Sequence, residues 1–514
     1  MKRNLLKALG ISFLIFVLLS WLIPVGVYTN GALDSKGIDP VGLFDLFNTP
    51  TSAFVTFVLY GVVFMAMGGL YGVMEKTGAL EKLVSKMKGA FTGKEKLFLV
   101  LTVVLFTVLS SVTGLILPLF VLVPLFALVL KELNYEKVTA LAATVGSLLV
   151  GSVASTYGFN ISGYTKNILS LSMNDQIVAK VVLLVVLTAL LAVMLVCASK
   201  KVLKKTTKEV KKEEPKKVST KKATKPAAKS TTKTAAKKKT TAKKTSKKST
   251  TKALAVTKPV KKVSSKSKLS VAPLVVILVL MLIVTLVGMY NWYYAFGIET
   301  FNNMYEAVMN VKIKDFPIFE HLFSGSSQFG YWSNVNFVGM MVLASMLIAW
   351  IYKLSLNDYV ESFIAGVKKW LPTAIYASLA SVILSILYQA SYNGTGTLVD
   401  TVNDKLFGLF DGFNVLTTGA AAFLGSFFFN DLYYLLADLA AFVSGFDAST
   451  LPIVGLLIQS MYSIGMLVFP TSVVLIAGLS LFDVSYKQWI KYIWKFVLTA
   501  FLLVLLVCGI LTLL

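Results

Sequence analysis

The stretch Leu97–Leu130 reads LFLVLTVVLFTVLSSVTGLILPLFVLVPLFALVL and carries no charge. A helix needs roughly 20 apolar residues to cross the hydrocarbon core. This stretch is therefore too short for two crossings and too long for one. Ser110, Ser111, Thr113 and Gly114 interrupt its middle, and lysines flank it on both sides, Lys94 and Lys96 before it, Lys131 and Lys137 after it. Lysine collects in cytoplasmic loops. A re-entrant hairpin that enters and leaves on the cytoplasmic side meets all of these constraints. Its polar tip then lies at membrane depth, where irregular backbone is tolerated only if protein or a cavity surrounds it.

Working outward, the composition agrees with a membrane body: 56% of the 514 residues are hydrophobic. The apolar runs are long and continuous rather than alternating, which predicts helices and not a barrel. Basic Met1–Lys7 leads into an apolar run to Leu22. This has the form of a signal peptide, but no small-residue cleavage site follows, and the expectation is an uncleaved first helix over about 9–29. The next loop is acidic (Asp34, Asp39, Asp45) and is placed outside. A second helix over about 53–74 returns to a Lys-rich amphipathic segment over 75–96 on the inner surface. After the hairpin, a helix over 138–160 crosses outward and is broken within Gly151–Asn160, and a helix over 181–198 crosses back.

The second half repeats this order upside down. Helices are expected over 269–290, 335–352 and 371–391, followed by a polar, acidic outer stretch over 392–413. Residues 419–446 are apolar but interrupted by Asn430 and Asp431, which predicts a second hairpin, entered from outside. A helix over 451–479 is broken around Phe469-Pro-Thr-Ser472, and a last helix runs over 496–514. The expected fold is an all-α polytopic membrane protein with nine spans, built from inverted repeats with two re-entrant hairpins and broken helices. The expected division is a first membrane half over 1–198, an insert over 199–268 and a second membrane half over 269–514. Interrupted segments at matching positions in two halves point to the binding site of a secondary transporter. The alternative, that these Ser/Thr/Gly clusters are helix-packing faces, stays open at this stage.

Residues 200–268 contain 27 Lys and 3 Glu, a net charge of +24 in a chain of +25. Such a segment cannot bury enough apolar surface to offset its chain entropy, so the sequence predicts disorder. Three roles are compatible with it: a solvated spacer, adhesion to anionic lipid of the inner leaflet, or nonspecific nucleic-acid binding. The N-terminus and this insert are expected to be cytoplasmic at the cell membrane.

No HExxH, Walker A, nucleophile elbow or Cys/His cluster occurs, which argues against an enzyme. Cys197 and Cys508 lie far apart in apolar segments, and His321 is the only histidine. Neither a metal site nor an organic cofactor is expected. Arg3 is the only arginine, so no bidentate carboxylate clamp exists in the body. An anion would have to be held by hydroxyls and by the N–H groups at helix starts. The candidate substrate ligands are Ser110, Ser111, Thr113, Ser155, Thr156 and Asn160 in the first half, and Asn430, Thr471 and Ser472 in the second. Asp431 and Asp438 lie seven apart in an apolar run, on one helix face, and a mid-membrane charge costs at least ~2.5–3.5 kcal/mol. They are candidates to couple Na⁺ or H⁺ or to meet a substrate amine. A shallow hairpin whose aspartates simply reach water is the plainer alternative.

Several motifs together resemble a known family. Gly68-Gly-Leu-Tyr-Gly-Val-Met-Glu-Lys-Thr-Gly-Ala-Leu80, Gly151-Ser-Val-Ala-Ser-Thr156, Phe469-Pro-Thr-Ser472 and Ser485-Tyr-Lys-Gln-Trp489 are similar to segments of the YfcC-like, anaerobic C4-dicarboxylate carrier group of the ion transporter superfamily. The resemblance implies a secondary carrier for a dicarboxylate, amino acid or related metabolite, elevator-like, with a homodimer among its expected assemblies. Two segments depart from the group's pattern. Gly425–Tyr434 stands where a Ser/Gly-rich tip is usual, and Leu115-Ile-Leu-Pro118 stands where acidic residues follow the first tip.

Overall fold

The computed structural model describes residues 2–29, 32–210, 270–323, 325–388, 396–408, 412–443 and 445–514. Most of the Lys-rich insert lies outside these residues. Nearly all of the described chain is helix, and eight helices are long and apolar enough to cross a membrane.

Helix α1 (Lys2–Leu22) begins and ends about seven residues earlier than the sequence reading, which ran it over about 9–29. Pro24 lacks an N–H and biases its neighbour away from helix. Val25–Thr29 (β1) then pairs antiparallel with Ala32–Gly37 (β2). Helix α2 (Asp45–Thr77) has 33 residues and is about 50 Å long. Gly78, at φ +74°, ends it and turns the chain into the amphipathic α3 (Ala79–Phe91).

The first hairpin follows. Its ascending limb is α4 (Glu95–Thr113), and its return runs through a short helical turn at Ile116–Leu119 into α5 (Val123–Glu132). The limbs meet through Phe126, whose ring lies 5.8 Å from Phe98 and 5.2 Å from Phe106. The first broken helix consists of α6 (Lys137–Val153), an irregular stretch, and α7 (Tyr164–Ile168). Helix α8 (Ile177–Val210) closes the first half.

Helices α9 (Ala272–Met289), α10 (Asn334–Ile351) and α11 (Leu356–Val382) open the second half. The sequence reading began α11 at residue 371, with a basic loop before it. The helix starts fifteen residues earlier because Ser355 caps it, accepting from the Asp358 N–H at 3.1 Å, and its first turns carry the charges. After α12 (Leu398–Phe407), the second hairpin is α13 (Val415–Phe428) and α14 (Leu432–Val443). The second broken helix is α15 (Leu451–Met466) and α16 (Val473–Phe482). Helix α17 (Tyr486–Leu511) begins ten residues before the expected start, behind a capping box of Ser485 and Gln488.

Two features organise this body. First, α2 and α11 touch backbone to backbone. Gly68 and Gly72 face Gly366, and a Cβ on Gly366 would fall on the Gly68 carbonyl oxygen. Small residues at that spacing allow such close packing in a membrane. Ion pairs Lys76–Asp358 (2.8 Å) and Lys369–Glu75 (2.6 Å) clamp the same end. Second, the hairpins enter from opposite ends of α2. The base of the first lies by the α2 C-terminus, where Lys88 of α3, the helix that follows Gly78, donates to Glu132 at 2.9 Å. The base of the second, marked by the Phe413–Phe446 contact, lies with α12. Helix α12 packs on β1 and β2 beside the start of α2, and Gly26 and Thr397 exchange backbone hydrogen bonds there.

Both broken helices are interior. Every residue from Thr139 to Thr156 is buried, and so is every residue from Ile453 to Met466. The outward faces of helices such as α1, α8 and α17 carry instead mostly leucine, isoleucine and valine, with Trp21 and Trp494 among them.

Candidate functional site

A broken helix leaves carbonyls without intrahelical donors, and in lipid each must find a partner. In the first broken helix they find them across the molecule. Ser111 Oγ donates to the Ala154 carbonyl at 2.7 Å, and Ser460 Oγ donates to the Val153 carbonyl at 2.7 Å. The Ser155 carbonyl accepts from Ser162 Oγ at 2.8 Å and from Gln459 Nε2 at 3.1 Å. Gln459 Oε1 in turn accepts from Ser162 Oγ at 3.2 Å. Gln459 is fully buried and ties the two broken helices together.

The first hairpin tip is joined to the same break. The Ser111 carbonyl accepts the N–H groups of Thr156 and Gly158, both at 3.1 Å. Gly114 turns the tip at φ +68°, and a Cβ there would sit 2.8 Å from the Gly158 carbonyl carbon. Only glycine permits that conformation and that approach together. In the second broken helix the Leu467 carbonyl accepts from Trp489 Nε1 at 2.7 Å, and the Val468 carbonyl accepts from Tyr486 Oη. Thr471 Oγ1 donates to the Ser426 carbonyl at 3.2 Å, and Ser472 caps α16 by accepting from the Leu475 N–H.

The two tips and the two breaks meet around one cavity of about 200 Å³. Gly114 and Ile116–Pro118 come from the first tip, Asn430–Leu432 from the second, Asn160 and Ile161 from the first break, and Met466 and Ser472–Val474 from the second. Tyr60 of α2 and Tyr462 of α15 complete its polar wall, together with Asn334, while Leu149 and Met289 are apolar. Among the described residues Asp431 is the one charged member of the lining, and no Lys, Arg or His belongs to it.

Of the residues singled out from sequence, Asn160, Asn430, Asp431 and Ser472 line this cavity. Ser110, Ser111, Ser155 and Thr156 lie behind it, buried, with hydroxyls bound inside the joint between first tip and first break; Ser110 Oγ donates to the Leu148 carbonyl at 2.6 Å. Thr113 donates to the Leu109 carbonyl of its own helix, and Thr471 holds the second tip. Asp431 and Asp438 do not share a helix face. Asp431 precedes α14 and accepts the Tyr433 N–H at 2.9 Å, whereas Asp438 lies within α14 and accepts from Asn403 Nδ2 at 2.6 Å, away from the cavity. Asn430 Nδ2 donates to Ser381 Oγ at 2.7 Å, which anchors the second tip to α11. The sequence reading missed Tyr60, Asn334 and Tyr462, which come from three distant helices. It also missed Gln459, although a glutamine within the apolar run Leu451–Met466 is a legible sign of a buried polar joint.

Among described residues no group of three or more His, Cys, Asp or Glu is placed to hold a metal ion. The chain matches no curated protein sequence. Among solved structures it is similar to the Alcanivorax borkumensis YdaH transporter, at 13% identity over 99% of this chain and 98% of that one, with a TM-score of 0.37. The profile described as C4-dicarboxylate anaerobic carrier, DcuC, matches residues 8–513, and the chain belongs to that family of multi-pass membrane transporters.

Proposed function

We propose that this protein is a secondary active carrier for a small carboxylate- or amino-bearing metabolite, driven by a Na⁺ or H⁺ gradient or by exchange. The observation that carries this reading is the convergence of both hairpin tips and both helix breaks on one cavity. Such convergence of discontinuous helices from opposed repeats is how secondary transporters build a solute site. Ser472–Val474 at the start of α16 lie on the cavity wall, where the positive end of the helix dipole favours a carboxylate.

We infer an elevator-like movement of the hairpins and broken helices against α2 and α11, to which they are also bonded through Tyr71–Val121 and Asn430–Ser381. Helices α2 and α11 form one rigid pair through their facing glycines, while hairpins and broken helices are stitched to each other by buried hydrogen bonds. Lysines 76, 82, 86, 88, 131, 137 and 369 gather at the end where the first hairpin enters, which supports a cytoplasmic placement of that end. Asp431, on the cavity, is the better placed of the two acids to act on the solute or its coupling ion.

The test is uptake into proteoliposomes under imposed Na⁺ and H⁺ gradients, with dicarboxylates and amino acids as solutes. Gradient-stimulated or exchange uptake is expected. A correctly folded protein that moves none of these under any gradient would overturn the carrier reading. The net charge of +24 on residues 200–268 supports a second reading, a membrane-anchored tether for anionic lipid or nucleic acid. Comparing retention on anionic liposomes with retention on DNA, with and without that segment, tests it.

A further inference from the structure

A second cavity, of about 270 Å³, shares no lining residue with the one between the hairpin tips. It lies where the α2–α11 pair meets the first hairpin and the broken helices: Glu75 comes from α2, Trp370 from α11, Lys131 from α5, Lys137 from the start of α6 and Phe482 from the end of α16. Its members divide by exposure. Pro124, Trp370 and Phe482 are buried and apolar, and Leu128 and Leu481 are half-buried. Lys131, Lys137, Lys369, Glu75 and Asp483 are exposed. Both acids are already engaged, Glu75 by Lys369 at 2.6 Å and Asp483 by Lys137 at 3.4 Å. Lys131 forms no ion pair among the described residues. Three lysines against two acids leave the lining with one excess positive charge above an apolar floor. A small polar anion would answer the charge and leave the floor against water. A neutral apolar ligand would cover the floor and gain nothing from the lysines. An anionic amphiphile answers both. Basic pockets between membrane helices take anionic lipid headgroups, and this one lies beside the charged ends of two helices long and apolar enough to cross a membrane, α2 and α11.

We infer that this cavity is a site for one anionic phospholipid of the surrounding leaflet, with the phosphate on Lys131, flanked by Lys137 and Lys369, and the first acyl carbons against Pro124, Leu128 and Phe482. The chemistry is a charge-assisted contact to the phosphate together with burial of chain carbons on the apolar floor. The cavity admits the glycerol phosphate and the top of one chain, and the rest of the lipid stays in the bilayer. The site is built wholly from the folded body and does not use the Lys-rich insert. A lipid seated there touches the α2–α11 pair and the first hairpin at once.

The experiment places the full chain in phosphatidylcholine nanodiscs with a sub-saturating amount of phosphatidylglycerol that carries a diazirine near the top of one acyl chain. After illumination, labelled peptides are mapped by mass spectrometry, which separates this cavity from lipid held elsewhere on the chain. Adducts are expected within 124–131 and 481–483, competed by unlabelled phosphatidylglycerol and not by glycerol phosphate. Lys131→Gln should lower labelling of these segments about fivefold, the worth of one lysine near a lipid surface, and Lys131→Arg should keep it. Lys487→Gln removes the same charge from an exposed position outside the lining and should leave the labelling unchanged. All three variants should melt close to the parent, because the side chains they alter are exposed. Labelling spread evenly over the outward helix faces, or reduced equally by Lys487→Gln, overturns the inference. So does equal labelling by a phosphatidylcholine probe, which would make the cavity a place for any lipid, and so does displacement by glycerol phosphate alone, which would make it a site for a soluble anion. None of these measurements involves transport, so their outcome is independent of the carrier reading.

Discussion

Replacing Gly114 by alanine should separate two costs that usually arrive together. The backbone there is left-handed, at φ +68°. A non-glycine residue in that region costs about 1–2 kcal/mol. The added Cβ would also lie 2.8 Å from the carbonyl carbon of Gly158, 2.9 Å from its Cα and 3.0 Å from the Phe159 nitrogen. These are backbone atoms, held in place by the hydrogen bonds from Thr156 and Gly158 to Ser111. They cannot rotate aside as a side-chain tip would, and overpacking of this kind costs about 1–3 kcal/mol. The total for Gly114→Ala is therefore about 2–5 kcal/mol. Gly78 is the matched control, since it has φ +74° and a Cβ added there would point into open space, with nothing within 4 Å. Gly78→Ala should cost only the conformational term, about 1–2 kcal/mol. Thermal unfolding of both variants in one detergent measures the difference, and uptake assays show whether the tip still closes. Equal losses of stability in the two variants would refute the argument that the tip and the break touch through their backbones.

Gln459→Leu keeps the volume but takes one of two donors from the Ser155 carbonyl, which keeps Ser162 Oγ, and one acceptor from the Ser162 and Thr165 hydroxyls, which keep the Ser155 and Ser162 carbonyls. It should cost about 1 kcal/mol, and adding Ser162→Ala in the same chain should lower the melting temperature further, because the Ser155 carbonyl then loses its remaining donor. At the base of the first hairpin, Lys88 donates to Glu132 at 2.9 Å and holds its carboxyl below the usual glutamate range. A depressed folded value means that this contribution is complete above the ordinary value of about 4.3 and disappears as pH falls through the folded value. Lys88→Met should therefore narrow the stability gap to the parent as pH is lowered below about 4, and high salt should narrow it at neutral pH. The pair is exposed, so the effect is small and is read from paired melting curves.

The irregular segments were the most legible part of this chain. Polar residues inside apolar runs marked Ser110–Gly114, Gly151–Asn160, Asn430-Asp431 and Phe469–Ser472, and the structure turns or breaks close to each of them. Lysines on both flanks of Leu97–Leu130 marked it as a hairpin whose two limbs start and finish at one end of the molecule. Helix ends were less legible. Hydrophobicity carried α1 past Pro24, although proline is a local signal for the strand that follows. Charge between Lys353 and Lys369 concealed the helix that begins at Leu356, although Ser355-Leu-Asn-Asp358 already held the capping pattern. The roles of Ser110, Ser111 and Ser155 were hidden for a deeper reason. Sequence shows that a hydroxyl lies at membrane depth, but not whether it serves a solute or the protein's own carbonyls. Tyr60, Asn334 and Tyr462 reach the cavity only through tertiary packing, which no local pattern encodes.

The two interior helices also constrain how the protein is made. Neither Thr139–Thr156 nor Ile453–Met466 has a face for lipid, so neither can rest in the bilayer as an independent segment while the ribosome is still at work. About 300 residues separate the end of one from the start of the other. During that interval the Val153 carbonyl waits for Ser460, and the Ser155 carbonyl waits for Gln459. A nascent chain halted short of residue 460 thus holds an unclosed polar seam between its helices.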